Sequence, residues 1–87
     1  MARRECTLMT ERFLGELHQR IQELLLRDHA PTGDLEWLEL RCNDTFAMSG
    51  ELRSASIAQL KKDADNFDEQ HPGLLGEITG WKPAAKK

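Results

Sequence analysis

The side chains that most often carry out chemistry are scattered along this chain. Three histidines (His18, His29 and His71) and two cysteines (Cys6 and Cys42) show none of the CxxC, HxxxH or HExxH spacings that bring metal ligands together. We therefore predict no metal site and no cofactor. Two cysteines also do not make a disulfide framework, and Cys42 is interpreted as a small buried hydrophobic residue.

Signals for covalent or acid–base catalysis are equally weak. The chain has no GxSxG motif and no glycine-rich phosphate loop after a strand. Carboxylate pairs occur at Asp63/Asp65 and Asp68/Glu69, but on a helix such pairs are typical of a solvated face, and acid–base pairs need burial to separate their pKa values. Since 87 residues leave little room for a closed pocket, we predict that the protein is not an enzyme.

Composition favours an all-α fold. The chain has thirteen Leu and three Ile but no Val and no Tyr, and Leu, Glu, Gln, Lys and Arg favour helices whereas Val, Ile and Tyr favour strands. Its length fits one domain. The expected architecture is a small bundle of three to four helices over residues 10–81, between a flexible arm at 1–9 and a flexible tail at 82–87.

Two segments show clear helical patterns. Residues 10–28 carry an apolar stripe on one side and i,i+4 Glu–Arg pairs on the other, with Thr10 as N-cap. The stripe residues are Phe13, Leu14, Leu17, Ile21, Leu24 and Leu25. Residues 54–70 form the second helix, with Ser54 as N-cap, and residues 74–81 are expected to form a short helical turn.

The segment 35–48 fits two structures. As a helix it places Leu35, Leu38 and Cys42 on one stripe. As a strand, Leu38, Leu40 and Cys42 alternate with polar residues, and the chain turns at 43–44 into a second strand. Composition favours the helix, and the alternative is an α+β fold with a short hairpin near 36–48 flanked by helices.

Charge argues against a protein whose main task is to bind nucleic acid. The net charge is −3, and residues 31–60 contain two basic and five acidic side chains. The alternative function is a helix–turn–helix-like DNA-binding regulator that uses the 54–70 helix. Ser54, Ser56, Gln59 and Lys61 would then contact DNA, although acidic residues later on that helix would repel phosphate.

The sequence also favours a cytoplasmic protein that does not associate with a membrane. The N-terminal residues lack the apolar region of a secretory signal, and no apolar run approaches the roughly 18 residues of a membrane span.

Apolar residues outside the expected core favour protein binding. Leu26 lies about 100° outside the first-helix stripe, acids flank Trp37, and Trp81 lies near the chain end. In the alternative interpretation, Leu26 packs against the returning chain and Trp81 closes the end of the bundle. The predicted partner-facing residues are Leu25, Leu26, Trp37 and Trp81, and the residues that form core or a dimer seam are Phe13, Leu17, Ile21 and Leu24.

These observations together predict a small, acidic, non-enzymatic regulatory protein. We expect it to bind another protein as an inhibitor, anti-activator or adaptor, with transcription regulators as one class of target. A homodimer through the first helix is also predicted, because an isologous helix contact would cover a wide apolar stripe. The sequence does not identify the protein partner.

Overall fold

A computed structural model gives three helices joined by short turns. They are α1 (Ala2–Leu25), α2 (Thr32–Phe46) and α3 (Gly50–Gln70). The structure describes the backbone of residues 2–81 and the side chains of residues 10–81. The predicted all-α class is confirmed, and the helical interpretation of 35–48 is correct, so the hairpin alternative is wrong. The predicted tail at 82–87 lies outside the described residues.

Side-chain pairs between the helices define an up-down-up bundle with α2 in the middle. Between neighbouring helices the numbers of the contacting residues rise along one helix as they fall along the other, so each neighbouring pair is antiparallel. The pairs are Gln22–Glu39 and His18–Phe46 between α1 and α2, and Arg41–Asp63 and Thr45–Ser56 between α2 and α3.

One continuous core fills the space between the helices. The predicted stripe of α1 provides its centre, and all of the stripe except the partly buried Leu25 is fully buried. Burying one such side chain contributes about 1.5–3 kcal/mol, so these residues dominate the stability of the bundle. The buried apolar residues are Phe13, Leu14, Leu17, Ile21, Leu24, Leu35, Leu38, Cys42, Ile57, Leu60, Ala64, Phe67, Leu75, Ile78 and Trp81.

Helix boundaries differ from the sequence-based expectation. The first helix begins at Ala2 and ends at Leu25, so Thr10 lies inside it rather than at its N-cap. The third helix begins at Gly50, with extended backbone at Ser49, four residues before the predicted cap Ser54. Gly50 has φ +61°, a conformation that glycine adopts without strain, and this lets the chain reverse after α2 in three residues.

A single arginine fixes the first turn of α3 to the neighbouring helices. The guanidinium of Arg53 donates two hydrogen bonds to the Glu11 carboxylate of α1, at 2.9 and 2.6 Å. It also donates to the carbonyls of Phe46 and Met48 at the end of α2. Bidentate pairs of this kind hold geometry as well as charge. Residues 50–53 are therefore helical because a distant partner, Glu11, anchors them.

The last described segment is an irregular strap of turns and bends and not the predicted helical turn. Residues 71–81, the C-terminal strap, run between α1 and α3. Arg20 Nη1 donates to the Leu75 carbonyl at 2.7 Å, and Thr79 donates from its N–H and hydroxyl to the Glu16 carboxylate at 2.9 and 2.8 Å. Gly76 has φ +68°, a conformation that favours glycine, and a Cβ added there would lie 2.6 Å from Arg20 Nη1 and displace the guanidinium.

The Glu16–Thr79 contact makes a pH-dependent contribution to stability. The backbone N–H of Thr79, and then its hydroxyl, hold the pKa of Glu16 below its ordinary value of 4.5. A lowered pKa in the folded state stabilises the protein above pH 4.5, and this contribution is lost as the pH falls through the lower folded value. We expect Glu16→Gln to flatten the loss of stability between pH 4.5 and lower pH, measured by urea unfolding.

Glu77→Gln provides the matched control for that prediction. Glu77 is an exposed carboxylate of the same strap with no ion pair among the described residues. Its substitution should leave the acid limb of the unfolding curve unchanged. If the free energy of unfolding falls equally steeply with pH for Glu16→Gln and for the unmodified protein, the Thr79 hydrogen bonds do not favour the charged form of Glu16.

Candidate functional site

The residues predicted to form core or a dimer seam lie inside the bundle. The side chains of Phe13, Leu17, Ile21 and Leu24 are fully buried, and the chain's own α2, α3 and strap cover them. They have no surface left for a partner in this fold. The stripe that suggested a homodimer through the first helix is therefore already covered within one chain, and that argument for a dimer no longer applies.

Trp81 also belongs to the core. It is 7% exposed, and its indole N–H donates to Asp65 Oδ1 of α3 at 2.7 Å. The hydrogen bond satisfies the one polar atom of the indole, so the ring is buried without a polar cost. The partner-facing assignment of Trp81 is corrected accordingly: this residue closes the bundle.

Leu25 and Leu26 differ sharply in environment. Leu25 packs at the edge of the core, whereas Leu26 lies just beyond the end of α1 and is 86% exposed. The interpretation in which Leu26 packs against the returning chain is wrong. Leu26 is therefore a single exposed apolar side chain at one end of the bundle.

Two large apolar side chains lie next to each other on the outside of α2. Trp37 is 50% exposed and Leu40 is 58% exposed. Their spacing of three residues places them about 60° apart around the helix axis, on the side away from the core. We call this pair the α2 outer face. The buried side of α2 consists of Leu35, Leu38, Cys42 and Thr45.

Sequence reasoning missed Leu40 as a site residue. The hairpin alternative places Leu40 on the same strand face as Leu38, and that interpretation gives no indication that Leu40 is exposed. On the helical pattern, at about 100° per residue, Leu40 falls about 140–160° from Leu35, Leu38 and Cys42, and that separation was the available signal.

A shallow groove between α2 and α3 borders the α2 outer face. Its volume is about 80 Å³, and Leu38 and Phe67 give it an apolar floor. Small-molecule sites typically measure about 300–1,000 Å³, so a groove of this size suits one inserted side chain rather than a substrate. The lining residues are Asp34, Trp37, Leu38, Asp63, Asn66, Phe67 and Gln70.

Arg41 joins the groove to the α2 outer face. Its guanidinium carbon lies 6.0 Å from the centre of the Trp37 ring, and its Nε donates to Asp63 Oδ2 at 3.3 Å. Gln59 donates to the other oxygen of Asp63, also at 3.3 Å. A ring held beside a paired guanidinium loses less side-chain freedom on binding than a free one.

The carboxylates of α3 are mainly structural. Asp63 is 5% exposed and Asp68 is 2% exposed, and Asp68 Oδ1 accepts the Gly73 N–H at 3.2 Å. The indole N–H of Trp81 donates to Asp65. The interpretation of these three aspartates as a solvated face is therefore wrong, and they fix α2, the strap and the turn after α3 instead.

The residues proposed to read DNA are partly used within the chain. The Ser56 hydroxyl shares a hydrogen bond with Thr45, Gln59 donates to Asp63, and Lys61 Nζ lies 5.6 Å from the centre of the Phe13 ring. Ser54 is exposed. Three of the four are therefore already engaged in contacts within the bundle.

The residues with metal-binding or nucleophilic potential remain separate. Burial raises the pKa of the Cys42 thiol to about 12, so this group is a neutral thiol at physiological pH. Among the described residues no group of three or more His, Cys, Asp or Glu side chains is placed to hold a metal ion. No helix in that part of the chain has the length and apolar character needed to cross a membrane.

Known proteins give no guide to function. No protein-family model matches the chain, and neither the curated proteins nor the solved structures provide a match. The geometry of α2 and its neighbours is therefore the basis on which a function is proposed.

Proposed function

We propose that this protein is a small, non-enzymatic regulator that binds another protein in the cytoplasm through the α2 outer face. The observation that carries the proposal is the pair Trp37 and Leu40, which is solvent-exposed on one side of a helix whose opposite side completes the core. Trp is among the residues most enriched at the energetic centres of protein interfaces, and adjacent exposed apolar side chains usually mark a contact site.

Rigidity supports this use of α2. The helix lies between α1 and α3 and is tied to them through the Gln22–Glu39 and Arg41–Asp63 contacts. A preformed helix face loses little conformational entropy when it binds. Binding would block a surface of the target, which is how an inhibitor, anti-activator or adaptor of this size acts without catalysis.

The surroundings of the α2 outer face also favour binding over chemistry. The adjacent groove is too small for a typical substrate, and the Cys42 thiol, the nearest candidate nucleophile on α2, is buried and protonated. The exposed Trp37 ring can insert into a pocket of the partner, and the adjacent groove can receive one side chain from it. Protein interfaces commonly combine these two features.

Capture from a lysate of the source cells tests this proposal. We expect the tagged chain to retain a protein at near-stoichiometric level, and the double variant Trp37→Ser/Leu40→Ser to retain at least about tenfold less. The circular dichroism and urea midpoint of that variant should match those of the unmodified chain, because both side chains are already exposed.

Leu52→Ser is the matched control, since Leu52 is 71% exposed on α3 and away from the α2 outer face. It should capture the same protein at the same level, and Leu26→Ser would show whether the contact extends to the end of α1. Equal recovery by all variants would contradict the proposal. Recovery that disappears after nuclease treatment would instead favour the helix–turn–helix-like DNA-binding alternative.

A further inference from the structure

We infer that the occupant of the α2 outer face is a basic amphipathic helix of the partner protein. This inference rests on the proposed function and specifies the chemistry of the partner. It starts from the distribution of charge around Trp37 and Leu40. Helix α2 carries four carboxylates and one arginine, a net charge of −3, which equals the net charge of the whole chain.

The structure shows which of these charges are available to a partner. Arg41, the only cation on α2, is paired with Asp63, and Asp34 is hydrogen-bonded to His71 at 2.9 Å. Glu36 and Asp44 are exposed and have no ion pair among the described residues. They lie four residues before and four residues after Leu40, so an unpaired carboxylate is present at each end of the apolar pair.

A helix is the form of partner that matches this pattern. Trp37 and Leu40 are three residues apart. Glu36 and Asp44 lie one turn before and one turn after Leu40. This pattern is complementary to a second helix with apolar residues at i, i+3 or i+4 and cations one turn from one of them. Lys or Arg at those positions would face Glu36 and Asp44. The groove beside Trp37 has room for one side chain of such a helix.

The same charges disfavour a second copy of this chain. In an isologous α2–α2 contact, two helices that each carry a net charge of −3 would oppose each other, and like charges across an interface reduce affinity. An acidic or neutral partner would leave Glu36 and Asp44 without partners as water is excluded from the contact.

Two designed peptides test the inference directly. One is an amphipathic helix of Leu and Lys, and the other has the same Leu positions with Glu in place of Lys. We expect the full chain to bind the Leu/Lys peptide at least about tenfold more tightly at low salt, with affinity that falls as salt rises, in a fluorescence anisotropy titration. Trp37→Ser/Leu40→Ser should weaken this binding by about tenfold.

Charge-inverted variants distinguish the effect of carboxylates beside the α2 outer face from the effect of the net charge of the chain. Glu36→Lys/Asp44→Lys should weaken binding of the Leu/Lys peptide by about tenfold. Glu69→Lys/Glu77→Lys makes the same change in net charge at exposed residues outside α2, and should alter affinity less than about threefold. Equal losses for the two variants, or equal binding of both peptides, would overturn the inference.

The outcomes also distinguish this inference from the proposed function. A cellular protein captured through Trp37 and Leu40 but unaffected by Glu36→Lys/Asp44→Lys would overturn the basic-helix inference and leave the proposed function intact. A dimer in light scattering that Trp37→Ser/Leu40→Ser dissociates would identify a second copy as the occupant. If Trp37→Ser/Leu40→Ser changes neither the capture of a cellular protein nor peptide binding, both the proposed function and the basic-helix inference are wrong.

Discussion

Trp81→Ala is expected to lower the free energy of unfolding by about 3–5 kcal/mol, the usual cost of removing a large aromatic side chain from a core. Trp81 is 7% exposed, and its ring is part of the hydrophobic core. The substitution also leaves Asp65 without the indole N–H that it accepts. A domain of this length has roughly 4–13 kcal/mol in total, so the variant should lose a large share of its stability.

Urea unfolding followed by circular dichroism measures the effect, and the second tryptophan supplies the control. Trp37 is half exposed, so Trp37→Ala should shift the free energy of unfolding by about 0.5 kcal/mol or less. The fluorescence of Trp37→Phe, in which Trp81 is the only tryptophan, should be that of a buried indole. Similar costs for the two alanine variants would contradict the assignment of Trp81 to the core.

The two tryptophans show where sequence reasoning stops. Both were predicted to face a partner, Trp37 because acids flank it and Trp81 because it lies near the chain end. The position of Trp81 depends on the path of the strap, which is set by contacts of Glu16 and Arg20 with residues 55 to 63 positions later in the chain. Periodicity describes neighbours along one helix and carries no information about such distant pairs.

The sequence repeat correctly predicted the features that depend on residues close together in the chain. The stripe of α1 was correct from Phe13 to Leu24 because a 3.6-residue repeat fixes one buried face. The start of α3 was wrong because the anchoring of Arg53 by Glu11 extends the helix back to Gly50. The aspartates of α3 were wrong for a related reason, since their buried partners lie on other elements.

The candidate site was only half predictable. Trp37 was recognised because an aromatic side chain between acids is unusual on a polar helix face. Leu40 was not, because the strand and helix interpretations of 35–48 place it on opposite sides, and the choice between them determines whether it is core or surface. The neighbouring groove requires α3 to lie antiparallel to α2, an arrangement that depends on contacts between the two helices such as Arg41–Asp63 and Thr45–Ser56.

Arg41→Met is expected to lower the free energy of unfolding by about 2–3 kcal/mol, because it leaves the buried Asp63 carboxylate without its cation. The side chain of Asp63 is 7% exposed, and Gln59 would be its remaining hydrogen-bond donor. Loss of one partner from a fully buried pair costs about 3–5 kcal/mol, and the smaller value here reflects the 31% exposure of the Arg41 side chain.

The double variant Arg41→Met/Asp63→Asn tests the physical reason for that cost. An asparagine at position 63 keeps a hydrogen bond with Gln59 and carries no charge, so most of the lost stability should return. Arg12→Met is the control, since the Arg12–Glu16 pair is solvent-exposed at 3.7 Å and should contribute less than about 1 kcal/mol. A double variant that is as unstable as Arg41→Met would show that Arg41 stabilises the α2–α3 pair through packing of its aliphatic stem rather than by compensating a buried charge.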